Sequence, residues 1–273
     1  MKKIKLVFSD LNGTLVRQLT MSDILRVYKD KKAFKEADNI FKKQTKGIIT
    51  MEEAFEIAGT LTKGLTLRQA IEYTTKHMVY INGFDEFLDF LNIHKIPLVI
   101  NSTGYSVTFY SIQCQRSNDK IHGFIGNFLE FGFDGHNKKI ISENELRVKI
   151  KDYFLNKDAR PNRYYDEVKA TGKIKLGIKN ENEKFSLIRL YIKNHFPNIK
   201  INEVAHIGDT MGDSEGIRLT AKAGGTGIAF NYNKELKKYL KSKLEKENIK
   251  GRIFFINRRS NSPNLTHLIS IIK

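Results

Sequence analysis

The sequence is poor in residues that cross-link or stiffen a chain. It contains one cysteine, Cys114, four prolines and no tryptophan among 273 residues. A single cysteine forms no internal disulfide and supplies only one thiolate, which excludes a zinc site built from two or more cysteines. We therefore expect a protein of a reducing compartment, with a cytoplasmic location as the default.

Long hydrophobic runs are also missing. The apolar stretch of the N-terminal segment MKKIKLVFSD ends at Asp10, so it is shorter than the hydrophobic core of a signal peptide. No window approaches the roughly 20 apolar residues of a membrane-spanning helix. The sequence thus predicts a protein that is neither exported nor inserted in a membrane.

Acidic residues are too few to balance the basic ones. The chain has 30 Asp and Glu against 47 Lys and Arg, which gives a formal net charge of +17. The basic residues are spread along the whole chain with acids between them, rather than clustered as in a nucleic-acid-binding surface. We interpret them as a solvated surface that favours small anionic substrates, and we do not expect a nucleic-acid partner. The sequence does not indicate an oligomeric state.

Short apolar runs alternate with helical patterns along most of the chain. The runs predict strands at residues 5–9, 96–100, 124–131, 204–207, 227–230 and 253–256, and helical spacing predicts helices at 105–115, 142–155 and 185–195. Such alternation is typical of an α/β fold, so we predict a three-layer, Rossmann-like core around a parallel sheet. The 40% of hydrophobic residues is sufficient for a full core.

A second pattern interrupts this alternation after the first strand. From Ser22 to about His77 the spacing is helical throughout, and capping boxes at Thr50 and Thr66 mark two helix starts. Because chains beyond about 250 residues tend to divide their cores, we predict a helical cap domain at residues 17–79, inserted into a core of residues 1–16 and 80–273. Residues 135–179 fit either a second small insertion or an extended hairpin.

Polar side chains follow three of the predicted strands. Asp10 follows the first strand, Ser102 follows the run at 96–100, and Asp209 and Asp213 follow the run at 204–207. In open α/β sheets, ligands bind beyond the carboxyl ends of the strands. Carboxylates from two such ends together can hold a hard dication such as Mg²⁺.

Groups suited to phosphate lie near these carboxylates in the predicted fold. The Ser102 hydroxyl and the backbone amides near Gly13 and Gly104 are hydrogen-bond donors, and Lys184 supplies a positive charge. Together with a dication, this set of groups is typical of phosphoryl transfer.

The same residues carry a resemblance to a known family. Asp-Leu-Asn-Gly-Thr at 10–14, Ser102 after an apolar strand, Lys184, and Gly-Asp-Thr-Met-Gly-Asp at 208–213 resemble, in the same order, the four motifs of the haloacid dehalogenase superfamily. The resemblance covers nearly the whole chain. The helical insert after the first motif and the stretch at 227–231 are similar to the phosphoserine phosphatase-like branch.

The resemblance implies a Mg²⁺-dependent phosphatase, a hydrolase that cleaves a small phosphomonoester through an aspartyl-phosphate on Asp10. It implies that Lys184 balances charge on the nucleophile and the phosphate, and that Ser102, with Thr103 as a stand-in and Gly104 beside them, binds the phosphoryl oxygens. The implied metal ligands are Asp10, the backbone carbonyl of Asn12, Asp209 and Asp213, the last directly or through water.

Asn12 departs from the family pattern. Phosphatases of this superfamily usually carry Asp at this position as a general acid and base. The amide of Asn12 can serve as neither near neutral pH. The contribution of about 10²- to 10⁴-fold from acid–base catalysis is then lost unless another group supplies it. Three interpretations stay open: a phosphatase of esters with good leaving groups, such as acyl or aryl phosphates; an enzyme of the superfamily with non-phosphatase chemistry; or a catalytically impaired protein that binds a phosphorylated ligand or partner in a regulatory role.

Other polar residues receive more ordinary interpretations. His206 lies inside an apolar strand, which indicates a packed core histidine rather than a catalyst. Thr14 is expected to cap its loop. Arg17, Tyr28 and Lys63 belong to the predicted cap or its hinge, where the resemblance places substrate selection.

Overall fold

The centre of the molecule is a single β-sheet. The computed structural model describes residues 3–45, 48–116, 120–133, 139–180, 182–257 and 262–273. Across these residues there are seven strands, which are Leu6–Ser9 (β1), Leu98–Tyr105 (β2), Ile121–Phe133 (β3), Val168–Lys175 (β4), Val204–Gly208 (β5), Thr226–Phe230 (β6) and Arg252–Ile256 (β7). Their order in the sheet is β4-β3-β2-β1-β5-β6-β7, and every neighbouring pair is parallel except β3 and β4. This mostly parallel sheet confirms the predicted α/β fold.

Helices connect the strands and cover the sheet. Those within the described ranges are Thr20–Tyr28 (α1), Lys31–Thr45 (α2), Met51–Thr62 (α3), Leu67–Lys76 (α4), Phe84–Ile93 (α5), Ser106–Gln115 (α6), Glu143–Leu155 (α7), Tyr164–Glu167 (α8), Glu183–His195 (α9), Ser214–Lys222 (α10), Lys234–Lys246 (α11) and Ile269–Ile272 (α12). Among the helices described, none combines the length and the apolar character needed to cross a membrane.

The alternation of side chains along β1 explains why the core has three layers. All four residues of β1 are buried, and successive side chains of a strand point to opposite faces. Val7 belongs to the large cluster that includes α5 and α6, whereas Leu6 and Phe8 pack with Ile188 and Ile192 of α9. The sheet is therefore covered by helices on both faces, as predicted.

Four helices, α1 to α4, occupy the chain between β1 and α5. Both predicted capping boxes are present: Thr50 accepts a hydrogen bond from the Glu53 amide while the Glu53 side chain accepts one from the Thr50 amide, and Thr66 and Gln69 repeat the pattern. The helical character predicted for this segment is confirmed. Its boundaries as a separate cap domain, residues 17–79, stay a prediction.

The strand β2 is longer than its apolar run. We expected it to end at Ile100, but it continues through Asn101 and Ser102 to Tyr105, with a shift of register against β3 between Asn101 and Tyr105. The Asn127 side chain of β3 donates a hydrogen bond to the Thr103 carbonyl at 3.0 Å. The neighbouring strand thus satisfies a backbone carbonyl of this polar continuation of β2.

Residues 135–179, for which the sequence left two alternatives, contain the partner strand of β3. Of residues 135–179, those up to 138 lie outside the described residues; the rest form α7, α8 and β4, and β4 pairs antiparallel with β3. The segment therefore combines both alternatives: β4 returns antiparallel to β3 as in a hairpin, and α7 and α8 are inserted between the two strands. The predicted helix at 142–155 is confirmed as α7, whose Ser142 hydroxyl accepts from the Glu145 amide.

The strand β4 also joins the helical insert to the core. The Gly64 amide donates to the Ala170 carbonyl at 2.9 Å, and the Ala170 amide donates to the Leu65 carbonyl at 2.8 Å. Beside this pair, Arg68 of α4 donates to both carboxylate oxygens of Asp166. Backbone and side-chain bonds thus link the turn before α4 to the edge of the sheet.

Candidate active site

Three carboxylates meet where two neighbouring strands end. Asp10 follows β1, and Asp209 and Asp213 follow β5, so the parallel pairing of β1 with β5 brings them to one edge of the sheet. One oxygen of each carboxylate lies within 4.8 Å of the others. All three residues are buried, with exposed fractions of 7%, 1% and 1% in chain order. The structure therefore brings together the three predicted carboxylate ligands.

Glycines make this close approach possible. Gly13 has φ +79°, and a Cβ atom there would overlap the Asp209 carboxylate, while a Cβ at Gly208 would overlap the side chain of Asp213. The Asn231 side chain donates to the Gly13 carbonyl at 2.8 Å and fixes the loop after β1. The supporting role of Asn231 was not predicted, because nothing in a single asparagine after a strand shows which loop it contacts.

Lys184 supplies the positive charge of the site. It lies in the first turn of α9 and is 3% exposed. Its Nζ atom is 2.6 Å from Asp213 Oδ1 and 3.5 Å from Asp10 Oδ1. Lys184 thus contacts two of the carboxylates, whereas the upstream Lys173 and Lys175 lie on the edge strand β4.

The electrostatics of the site favour a cation. Burial and the nearby Asp213 carboxylate raise the pKa of Asp10 from 3.8 to about 7, although Lys184 and a hydrogen bond from Ser102 act in the opposite direction. Three buried carboxylates then share one ammonium group, which leaves negative charge uncompensated when all are ionised. The oxygen donors and the excess negative charge fit a hard divalent cation such as Mg²⁺.

The predicted phosphate-binding residues take different positions. Ser102 is completely buried, and its Oγ accepts a hydrogen bond from the Gly104 amide at 3.3 Å. Thr103 lines the cavity above the carboxylates. The residue considered as a stand-in for Ser102 is therefore the one of the two that borders the open space.

The Asn12 side chain is directed toward the helical insert. Its Oδ1 accepts hydrogen bonds from the backbone amide of Thr20 at 2.9 Å and from the Thr20 hydroxyl at 2.8 Å. Thr20 is the first residue of α1. The amide oxygen of Asn12 is thus engaged at the start of α1.

His206 is a buried residue of β5, as predicted. It is fully excluded from solvent, and its ring nitrogens have no hydrogen-bond partner within the described residues. Burial lowers the pKa of His206 to about 4. Thr14, expected to cap its loop, instead donates to Asp209 Oδ1 at 3.4 Å.

A cavity of about 390 Å³ separates the carboxylates from helices α1 to α3. Its floor consists of core residues and its roof of residues from the insert; the roof residues are Arg17, Leu19, Met21, Phe41, Gln44, Met51 and Phe55. Of the three predicted specificity residues, only Arg17 is in this roof: Tyr28 packs against His77, and the Lys63 carbonyl binds Lys29. The apolar roof was not predicted, because its residues follow the same helical spacing as core residues.

Comparison with known proteins shows structural similarity without sequence similarity. No protein-family model matches the chain, and no curated protein matches it in sequence. A solved structure of a phospho-aspartyl intermediate analogue of phosphoserine phosphatase superposes with a TM-score of 0.66 at 19% identity, over 100% of both chains. A substrate-bound phosphoserine phosphatase complex gives a TM-score of 0.66 at 18% identity, also over 100% of both chains.

A third structure extends the similarity. The HAD family hydrolase from Salmonella enterica subsp. enterica serovar Typhi has a TM-score of 0.65 at 14% identity, over 98% of this chain and 71% of its own. At such identities the similarity establishes the fold rather than the reaction. The chain therefore has the fold seen in these phosphoserine phosphatase and HAD family hydrolase structures.

Proposed function

We propose that the protein hydrolyses small phosphomonoesters with the help of a divalent cation, and that Asp10 is the nucleophile. We propose Mg²⁺ as this cation because it prefers oxygen donors such as carboxylates. The observation that carries this proposal is the buried cluster of Asp10, Asp209 and Asp213 with Lys184, at the floor of a cavity roofed by helices. The fold shared with phosphoserine phosphatases supports it. In this proposal, residues 17–79 act as the cap of a core formed by residues 1–16 and 80–273.

The reaction consists of two displacements at phosphorus. A carboxylate oxygen of Asp10 attacks the phosphorus atom, and the bond to the leaving oxygen breaks with its electron pair, so an aspartyl-phosphate forms and an alkoxide or phenoxide departs. Water then attacks the same phosphorus atom, the acyl phosphate bond breaks, and Asp10 is regenerated. The proton of the water passes to solvent or to the released phosphate.

The surrounding residues stabilise charge in both steps. Lys184 Nζ, which lies between Asp213 and Asp10, balances negative charge on the nucleophile, and Thr103 at the cavity wall donates to a phosphoryl oxygen. The Ser102 hydroxyl, which accepts a hydrogen bond from the Gly104 amide, donates to Asp10. Asp10, the Asn12 carbonyl, Asp209 and Asp213 are the residues that would hold the cation. When bound, the cation supplies neutralisation of the carboxylates and the phosphoryl group.

The test is the hydrolysis of p-nitrophenyl phosphate with Mg²⁺ and with a chelator. The wild-type protein is expected to release p-nitrophenol only with the metal, and Asp10→Asn is expected to release none, because an amide is not a nucleophile at phosphorus. Intact-protein mass spectrometry after rapid acid quench should find one added phosphoryl group on the wild type alone. Retention of activity in Asp10→Asn would show that the nucleophile is another residue.

A second candidate function is favoured by Asn12. Because this side chain cannot act as a general acid or base and its oxygen is hydrogen-bonded to Thr20, the second candidate is a site that binds phosphate without turnover. The wild type would then bind orthophosphate with Mg²⁺ but release no p-nitrophenol. That result would assign the protein a binding role and remove the phosphatase proposal.

A further inference from the structure

Five of the seven roof residues of the cavity are apolar. Phe41 of α2 and Phe55 of α3 are 6% and 3% exposed, and their rings meet edge to face with centroids 5.4 Å apart. Met21 and Met51 complete the surface with thioether side chains, which adapt readily to a flat ring. A planar apolar group opposite the carboxylate floor would thus find aromatic and thioether partners.

The roof has no carboxylate among its described lining residues. Its charged residue is Arg17, whose guanidinium donates to Asn82 Oδ1 at 3.2 Å. The nearby acids have other partners: Asp23 accepts from Tyr73 and Arg26, and Glu53 belongs to the capping box of α3. A substrate ammonium group directed at the roof, away from the carboxylate floor, would therefore meet a like charge and no counter-ion there, whereas an uncharged or carboxylate-bearing group would avoid this repulsion.

The position of Asn12 points in the same direction on independent grounds. Its amide cannot protonate a departing oxygen, and its Oδ1 is held by Thr20. Phenols are much stronger acids than alkyl alcohols, so a phenoxide departs without protonation more readily than an alkoxide does. The apolar roof and the lack of a general acid at Asn12 thus both suit an aromatic leaving group.

We propose that the substrates are aryl phosphomonoesters with an uncharged or anionic ring, bound with the ring against Phe41 and Phe55, and that aminoalkyl phosphates are rejected. This inference rests on the proposed phosphatase function. It names the residues of the roof as the determinants of substrate choice.

The first test measures binding without turnover. Phenylphosphonate and 2-aminoethylphosphonate, in which a carbon–phosphorus bond replaces the ester, are titrated into the wild-type protein with Mg²⁺ by calorimetry. We expect phenylphosphonate to bind at least about tenfold more tightly, since one well-packed ring contributes on the order of that factor. Equal affinities, or no binding of either compound, would overturn the inference.

Two variants of α3, one at the cavity and one at the exposed face, test where the ring binds. Phe55→Leu keeps an apolar side chain but removes the ring, and it should reduce the preference for phenylphosphonate by about threefold or more. Ile57→Ala is the matched control on the same helix, because Ile57 is 40% exposed and does not line the cavity. A preference that survives Phe55→Leu unchanged would exclude the assigned ring position.

The second test separates this inference from the proposed function. The kcat/KM values for phenyl phosphate and O-phosphoethanolamine are compared in the wild type and in Asp10→Asn. Turnover of both esters at equal efficiency, abolished by Asp10→Asn, would overturn the aryl preference and retain the phosphatase. Selective binding of phenylphosphonate with no turnover of any ester would retain the roof assignment and overturn the phosphatase.

Discussion

Gly13 is the residue at which backbone conformation and the carboxylate cluster depend on each other most directly. Its φ of +79° is unfavourable for other residues, and a Cβ atom would overlap Asp209. We expect Gly13→Ala to lower the free energy of unfolding by about 2 to 4 kcal/mol, from the sum of backbone strain and steric overlap. Chemical denaturation measures this difference.

The matched control for Gly13 is Gly104, the other glycine near which the sequence predicted phosphate-binding amides. A Cβ atom at Gly104 would come no closer than 3.6 Å to any neighbouring atom, here Asn12 Nδ2, which is an ordinary contact. Gly104→Ala should therefore change the unfolding free energy by less than about 1 kcal/mol. Equal losses in the two variants would contradict the steric argument.

Asn12 determines which leaving groups the proposed phosphatase can use. In Asn12→Asp, a carboxyl oxygen can still accept the two hydrogen bonds from Thr20, and the group gains an exchangeable proton. We expect turnover of an alkyl phosphate such as 2-phosphoglycerol to rise about 10- to 100-fold, and that of p-nitrophenyl phosphate by less than about threefold. Steady-state kcat values of both esters measure the effect, and a parallel increase would speak against the leaving-group argument.

At the scale of elements, the contact between α4 and the segment of α8 and β4 holds the insert on the core. Arg68 donates to both oxygens of Asp166 and to the carbonyls of Arg160 and Asn162. We expect Arg68→Ala to cost about 1 to 3 kcal/mol of unfolding free energy, because these charge-assisted bonds join distant parts of the chain.

The appropriate control is an ion pair that joins nothing distant. Lys42 pairs with Asp38 within α2 and is 66% exposed, so Lys42→Ala should cost less than about 0.5 kcal/mol. Urea denaturation of both variants gives the comparison. If Arg68→Ala were as mild as Lys42→Ala, the contact between α4 and the edge of the sheet would contribute little to stability.

Local signals made much of the fold predictable. The capping boxes at Thr50 and Thr66 specify hydrogen bonds within four residues, so the sequence determines them almost alone. The antiparallel strand β4 was not predicted, because its alternation of Lys and apolar residues is weak and its partners, Leu65 and β3, are remote in sequence. The continuation of β2 beyond Ile100 depends on Asn127, another distant residue.

The candidate site was likewise predictable where it depends on local sequence and not where it depends on distant contacts. Asp10 and Asp209 were predictable because each directly follows an apolar strand, and parallel strands end at one edge of the sheet; Asp213 belongs to the same short motif as Asp209. The roof formed by Phe41 and Phe55 was not, since an inward apolar residue of a helix has the same spacing whether it faces the core or a cavity. The bonds of Asn12 to Thr20 likewise depend on the path of the chain between them.

At the scale of the whole molecule, the raised pKa of Asp10 couples folding to pH and to metal. In the metal-free protein the folded state retains a proton on Asp10 that the unfolded chain releases, so stability should fall as pH rises from about 4 to about 7. A cation competes with this proton, so stabilisation by Mg²⁺ should increase over the same range. Thermal unfolding with a chelator and with Mg²⁺ at about pH 5 and about pH 8 measures both effects.

Asp10→Asn provides the control for this pH dependence. An amide does not titrate, so the contribution of this residue to the fall in stability should disappear in the variant, and stabilisation by Mg²⁺ should weaken at both pH values because a ligand is lost. A stabilisation of the wild type by Mg²⁺ that is equal at low and high pH would show that Asp10 is ionised throughout.

The bonds between residues 64–65 and Ala170 have one more consequence. β4 is the edge of the sheet, and an uncovered edge strand offers free amides and carbonyls to strands of other molecules. The turn before α4 occupies part of this edge, and Gly59 of α3 approaches it so closely that a Cβ there would overlap the Gly172 carbonyl. The insert that roofs the cavity therefore also covers part of this edge, and we expect a shortened chain lacking residues 17–79 to self-associate through β4.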